Sequence, residues 1–440
     1  MPLQTLDAAF SASPFGRDPW TLLADRVALE LPQAPPVFTL GDGFVGIRGP
    51  GDSAGAPRVY LNGVFETTSI AYHEAAHGYA VSSDTRVAVA DATRLSISVD
   101  GVDLPVESAE LDMAAGFLRE TRRTSDVAVV IETLVPMAHK GVVATRIRVS
   151  ADENVRVTIR RIVMPPSGPP VHDLPYDPRV APVIDVRWTE ETVISEPAIV
   201  GRVDRLSRSG FTVAVVARRL DTVLELAPGE TRVLDGLAVY AAVRGDDPLV
   251  VATAALAALP DHDQLVAEQR SWYASFWRNA GLELAEDPAA QALRHGLFQL
   301  VQAVGRDGSA SLSAKGQTGE GYEGHVFWDA EIYALPVFVY LMPEIARAML
   351  TWRIDRLDAA RANARLLGHA QGALYPWRTI AGAECSSFFP AGAAQSHINA
   401  DIAHALQLYV ATTGDCSILE EGGAVMLAET ARIWLQVGFH

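Results

Sequence analysis

Cysteine is scarce: Cys385 and Cys416 are the only two in 440 residues, so no disulfide framework is implied and a reducing compartment fits. Positive charge is in deficit as well. Thirty-six Lys and Arg stand against 53 Asp and Glu, a formal net charge of -17. Nucleic acid and anionic membrane both require a concentrated positive surface and are excluded as partners on that ground. No apolar run reaches the roughly 20 residues that span a bilayer. The opening MPLQTLDAAF lacks the basic and apolar regions of a secretory signal. These absences lead to the expectation of a soluble cytoplasmic protein. What is present is globular: 49% hydrophobic and 20% charged residues, at a length that suits two or three domains.

Two periodicities divide the chain. From about residue 20 to 255, apolar and polar residues alternate in short runs, as in Val155, Val157, Ile159 against Arg156, Thr158, Arg160. GDG at 41–43, DG at 100–101 and ADEN at 151–154 punctuate them. Many short strands with frequent turns predict an antiparallel sandwich, with the proline-rich stretch 165–182 as a long loop. Beyond that the period is helical: 261–279, 288–304 with proline in its first turn, 331–350, 354–369, 397–413 and 421–437. The expected organisation is a β-sandwich domain over 1–255, a helical linker over 256–285 and an α domain over 286–440.

Two short motifs in the first half mislead. HEAAH at 73–77 matches the zinc-protease signature, in which His73 and His77 would bind zinc and Glu74 would act as base. That chemistry needs a helix, and the flanks are β-branched and loop-like, so a loop coincidence is favoured and zinc hydrolysis is kept as the alternative from another class. Gly41, Gly43 and Gly46 spell G-x-G-x-x-G, but IRGPGDSAG follows where a dinucleotide site needs a helix. Tight turns between strands explain them better.

Chemistry concentrates in KGQTGEGYEGHVFWDAEIYAL, 315–335. Its glycines at 316, 319, 321 and 324 allow a compact loop, and aromatic residues alternate with acids. Sugar recognition needs this mixture, because flat rings cover C–H faces while carboxylates grip hydroxyl pairs. Trp328 and Asp329 supply both side by side; the bland alternative makes Asp329 a helix N-cap and Trp328 core. A second cluster over 371–401 contains Trp377, Arg378, Glu384, Gln395, His397, Asn399 and Asp401. His397 and Asp401 are spaced i, i+4, which suits a metal. With no third ligand in register, a hydrogen-bond role is favoured and no metal is expected.

Six runs stand in order along the chain: LGDGFVGIRG (40–49), VYLNGVFE (59–66), GQTGEGYEGHVFWDAEIYALP (316–336), GALYPWRT (372–379), PAGAAQSHINADIA (390–403) and ETARIW (429–434). Together they resemble glycoside hydrolase family 65, which includes maltose, kojibiose, nigerose and trehalose phosphorylases. The resemblance implies an N-terminal β-supersandwich, a helical linker and an (α/α)6 barrel. It implies inverting cleavage of an α-glucosidic bond in a glucose disaccharide, with inorganic phosphate as co-substrate and no cofactor. Dimerisation is common among such relatives. The family's tryptophan–aspartate pair, which contacts glucose, maps onto Trp328 and Asp329; Phe327, Trp377, Arg378 and His397 are further candidates for substrate binding. The family's general-acid glutamate follows the ETARIW-like helix and is expected beyond His440, so 1–440 is expected to be an incomplete barrel, inactive alone, with exposed apolar flanks. Glu320, Glu323 and Glu331 are the alternative acids within the chain. A hydrolase of the same family and a non-catalytic sugar-binding protein are the remaining alternatives.

Overall fold

The computed structural model describes residues 15–16, 18–50, 58–70, 78–166, 188–283, 288–319, 321–386, 392 and 395–437. Nine antiparallel strands form its largest sheet. Their spatial order is Thr21–Asp25, Ser108–Asp112, Phe117–Arg123, Val127–Leu134, Val142–Ala151, Thr231–Val243, Thr212–Arg218, Ile199–Leu206 and Trp188–Ser195. A four-stranded sheet, ordered Asp221–Leu226, Val155–Met164, Asp91–Val99 and Val102–Asp103, packs over one face. Val129, Ile131, Ile147 and Val149 meet Ile97, Val157 and Ile159 between the two. The sandwich expected from alternation is present, and Val155, Val157 and Ile159 are buried while Arg156 and Arg160 are exposed.

Helices α1 (Pro248–Ala258) and α2 (His262–Ala280) cover the opposite face of the large sheet. Ala252, Leu256 and Leu265 pack there on Val142, Ala144, Val216, Leu237 and Val239. A strand covered on both faces does not alternate, and Val142 through Thr145 are all buried. Helix α1 begins inside the stretch read as strands and ends in the expected linker. Its signal was present in the sequence, since Asp247 caps it by accepting from the Leu249 N–H at 2.9 Å and Pro248 occupies the first turn.

The helical part continues with α3 (Pro288–Ala303), α4 (Leu335–Leu341), α5 (Pro343–Ile354), α6 (Leu357–Leu366), α7 (His397–Thr413) and α8 (Ala424–Val437). One helix was expected over 331–350. The chain instead makes a π-turn at Ala330–Ala334, runs through α4 and breaks at Met342 (φ −150°, ψ 73°) before Pro343. Proline disfavours a helical residue before it, so the break falls there. Among the described residues no helix is long and apolar enough to cross a membrane. Helix α8 exposes Val425, Trp434 and Leu435.

A third sheet, ordered Leu40–Gly41, Val45–Ile47, Val59–Ser69 and Ser82–Ala88, joins the two parts. The G-x-G-x-x-G glycines make its first hairpin, as the turn interpretation requires. They also explain why no side chain fits. A Cβ on Gly43, whose φ is +88°, would lie 2.1 Å from the Val304 carbonyl oxygen, and one on Gly46 would lie 2.0 Å from Gln317 Cγ. The hairpin therefore presses on the end of α3 and on the glycine-rich loop. Gln317 donates to the Phe44 carbonyl at 2.8 Å, and the buried Asn62 amide donates to the Ser311 carbonyl at 2.8 Å. The β part thus holds the start of the chemistry-rich loop in place.

Candidate functional site

Phe327, Trp328 and Asp329 lead into the π-turn and diverge. Phe327 is buried and stands edge-on to Tyr322 (5.3 Å between centroids) and Trp377 (5.7 Å). Trp328 is half-buried and meets different rings, His397 edge-on at 5.0 Å and the exposed Tyr333 at 5.9 Å. Asp329 is exposed, and it caps nothing. Among the described residues its carboxylate has no hydrogen bond or ion pair. A helix-capping explanation for Asp329 is therefore removed. What stands at this edge is an unpaired carboxylate beside an indole, with an oriented imidazole against that indole.

The imidazole is oriented because both its nitrogens are engaged. His397 Nδ1 lies 2.7 Å from Asp401 Oδ2, and Nε2 lies 2.7 Å from Gln395 Oε1. The i, i+4 pair is a hydrogen bond on the first turn of α7. Among the described residues no group of three or more His, Cys, Asp or Glu is placed to hold a metal; His73, Glu74 and His77 lie outside the described residues, as does Glu320.

Below this edge is a buried polar layer that periodicity did not reveal. Arg378 is 3% exposed. It donates to His325 Nδ1 through Nε at 3.0 Å and Nη2 at 2.8 Å, and its Nη2 also pairs with Glu323. Glu384 accepts from the backbone N–H of Trp377 at 2.5 Å and Ser386 at 2.8 Å, pinning the 377–386 loop. Burial pushes its carboxyl above the usual range, against those backbone N–H groups. Asn399 donates to Ala373 O at 2.8 Å and accepts from Tyr375 N at 3.0 Å, fixing GALYPW. Glu331 forms a two-pronged pair with Arg353, at 2.8 and 2.7 Å, and both side chains are essentially inaccessible. Glu323 and Glu331 are thereby committed to arginines. Of the residues selected from sequence, Trp328, Asp329, Trp377 and His397 reach the surface, whereas Phe327 and Arg378 lie beneath it.

Burial also sets a pH dependence. His325 is fully buried and desolvation pulls it down to about 4; His262 and His295 are lowered for the same reason. The folded protein keeps these rings neutral, while the unfolded chain takes up protons below about pH 6.5. Stability is therefore complete above that pH and is lost as pH falls towards 4. The His325 share is on the order of 3 kcal/mol. Asp84 and Glu384, raised by burial and facing His325, act in the opposite sense at the acid end. Denaturation midpoints between pH 7.5 and 4.5 should fall more steeply for the wild type than for His325→Gln. Parallel slopes would remove His325 from the explanation.

Comparisons with known proteins bear on the family and the fold. The family model described as the N-terminal domain of glycosyl hydrolase family 65 matches residues 31–276, and that of the central catalytic domain matches 294–440. An uncharacterized glycosyl hydrolase of Mycobacterium leprae is 34% identical over 97% of this chain and 59% of its own length. The alpha,alpha-trehalose phosphorylase of Thermoanaerobacter brockii is 32% identical over 91% of this chain and 58% of its own. A solved structure assigned as a kojibiose phosphorylase from human microbiome superposes with a TM-score of 0.82 at 20% identity, covering 96% of this chain and 60% of that one. At that identity the superposition speaks for the fold, a β-rich N-terminal part followed by helices. The chain spans 58–60% of the length of the curated relatives that it matches along most of its own. With family models covering both its β and its helical part, the chain belongs to glycosyl hydrolase family 65.

Proposed function

We propose that this chain is the β domain and the first part of the catalytic domain of an α-glucoside phosphorylase. Trp328 and Asp329 hold the glucose whose anomeric bond is cleaved. One observation carries the proposal: Asp329 is a surface carboxylate with no partner among the described residues, beside a half-buried tryptophan. Leaving a carboxylate unpaired while Glu323 and Glu331 are committed to arginines makes sense where a ligand completes the bonding. A pair of adjacent sugar hydroxyls supplies two donors to the two oxygens, and the indole covers the C–H face of the ring.

In the proposed reaction an oxygen of inorganic phosphate attacks the anomeric carbon and the glycosidic C–O bond breaks. The departing sugar oxygen takes a proton, and β-glucose 1-phosphate leaves with inverted configuration. Phosphate arrives as its own nucleophile, so the second carboxylate that an inverting hydrolase uses to activate water is not needed. Glu323 and Glu331 are committed to arginines, and the resemblance to the family assigns the proton donor to a glutamate that follows the ETARIW-like helix, outside residues 1–440. The helices that follow α2 are proposed to be part of an (α/α)6 barrel, with 1–255 as the sandwich, 256–285 as linker and 286–440 as catalytic domain. A cytoplasmic setting and a homodimer go with this proposal, and no cofactor is required. The naming of relatives as trehalose and kojibiose phosphorylases supports glucose disaccharides as substrates.

The test measures glucose release from kojibiose, nigerose, maltose and trehalose by the protein expressed from its native locus, with and without phosphate. Release only with phosphate, together with β-glucose 1-phosphate, is the expected result and identifies the linkage. Equal release without phosphate would make the protein a hydrolase. No release from any of the four would remove the substrate claim.

A further inference from the structure

Two consecutive residues in the chemistry-rich loop adopt a backbone conformation that side chains disfavour. Tyr322 has φ +53° and Glu323 has φ +47°, between Gly321 at +91° and Gly324 at +79°. Only one other described non-glycine residue, Asp100, has positive φ. Two such residues in succession persist only where the surroundings over-determine them, and such strain collects at ligand clamps and active sites.

The surroundings here do so from two sides. From below, Glu323 pairs with Arg378, which also donates to His325, and all three side chains are at most 6% exposed. From behind, Arg86 donates to the carbonyls of Gly316 at 2.9 Å and Gly319 at 2.5 Å. A Cβ on Gly324 would lie 2.5 Å from Arg86 Cβ, so the third sheet presses on the turn. The product of this bracing is the placement of one side chain. Tyr322 remains 44% exposed, propped edge-on against Phe327, with the Lys315 ammonium 5.6 Å from its ring. Its hydroxyl has no partner among the described residues.

Phe327 and Trp328 are adjacent but serve two aromatic groups, Tyr322–Phe327–Trp377 and Trp328–Tyr333–His397. The second group includes the free Asp329. We propose that the first is the platform for the other sugar of the disaccharide, that Tyr322 is its exposed contact residue, and that Arg378 is a positioning residue acting through Glu323. This deepens the proposed function and rests on it. Arg378 lies too deep to meet a sugar itself, whereas a planar guanidinium can serve Glu323 and His325 together, which a lysine ammonium does less well.

The experiment is saturation-transfer NMR of the native-locus protein with free glucose and with the disaccharide that it turns over, alongside the phosphorolysis assay. In the wild type both rings of the disaccharide should receive saturation. Tyr322→Ala should lose saturation of the second ring, keep that of glucose, and raise KM for the disaccharide at least tenfold with a smaller change in kcat. Tyr322→Phe should retain the second-ring signal, because the ring remains. Arg378→Lys should reproduce the alanine pattern and add little in the double variant; Glu323→Gln replaces it if the lysine variant does not fold. Loss of both rings in a folded Arg378→Lys would mean a general distortion and overturn the positioning role. Unchanged two-ring saturation in Tyr322→Ala, with turnover intact, overturns the platform and leaves the phosphorylase standing. Two-ring binding that depends on Tyr322 without phosphate-dependent turnover does the reverse. No saturation of any ring in folded wild type overturns both.

Discussion

Replacing Arg353 by methionine should lower the stability of the folded protein by about 3–5 kcal/mol, because a buried carboxylate is left without its counter-charge. The Glu331–Arg353 pair is inaccessible to solvent and bonded through both prongs, so the loss is far above the ~0–1 kcal/mol of a surface pair. Much of it should return in Glu331→Gln/Arg353→Met, where no charge remains to be desolvated. Urea midpoints of the single and double variants make the measurement. A cost below about 1 kcal/mol in Arg353→Met would mean that the pair is solvated in solution. The pair also has a place in the site: Glu331 lies in the π-turn that begins after Asp329, while Arg353 is on α5 and reaches the Phe327 carbonyl. It clamps the turn from which Trp328 and Asp329 project.

That clamp illustrates what the sequence does and does not make legible. The strand Val155–Met164 could be read because it has one buried and one exposed face, so chemistry alternates with geometry. The segment Val142–Thr145 is covered on both sides and offers no alternation. Helix α1, PLVVATAALAA, is apolar all round and shows no helical periodicity, so only its alanine content and its Asp-Pro start mark it as a helix. In the site, Trp328 and Asp329 stood out because aromatic and acidic residues adjoin in a glycine-rich loop. The commitments of the neighbouring acids did not. Glu331 is 22 residues from Arg353 and Glu323 is 55 from Arg378, and no local pattern links such pairs. The same holds for the left-handed turn at Tyr322, where glycines at 321 and 324 suggested freedom but gave no sign that the residues between them would share it.

The contrast between Asp329 and Glu331, two residues apart, gives the sharpest functional test. Asp329→Ala should leave stability within about 0.5 kcal/mol of wild type, since an exposed side chain without a partner contributes little to folding. Its effect should fall on glucose binding instead. A hydrogen bond to a charged group is worth about 1.5–3 kcal/mol, so losing the grip on two hydroxyls weakens binding roughly 10²- to 10⁴-fold. Asp329→Asn keeps one acceptor oxygen and should lie between. Glu331→Gln should show the opposite separation: a lower melting temperature, with weakened binding only to the extent that the turn loosens. Titration of glucose followed by tryptophan fluorescence, with thermal melts of the same samples, measures both quantities. An Asp329→Ala protein that binds glucose like the wild type would take the carboxylate out of the sugar site. An Asp329→Ala protein that melts far below it would mean that Asp329 has a structural partner after all. The proposed binding role of Asp329 and the stabilising role of Glu331 are separable because one carboxylate faces water with its bonds unmade, and the other has spent its bonds inside the protein.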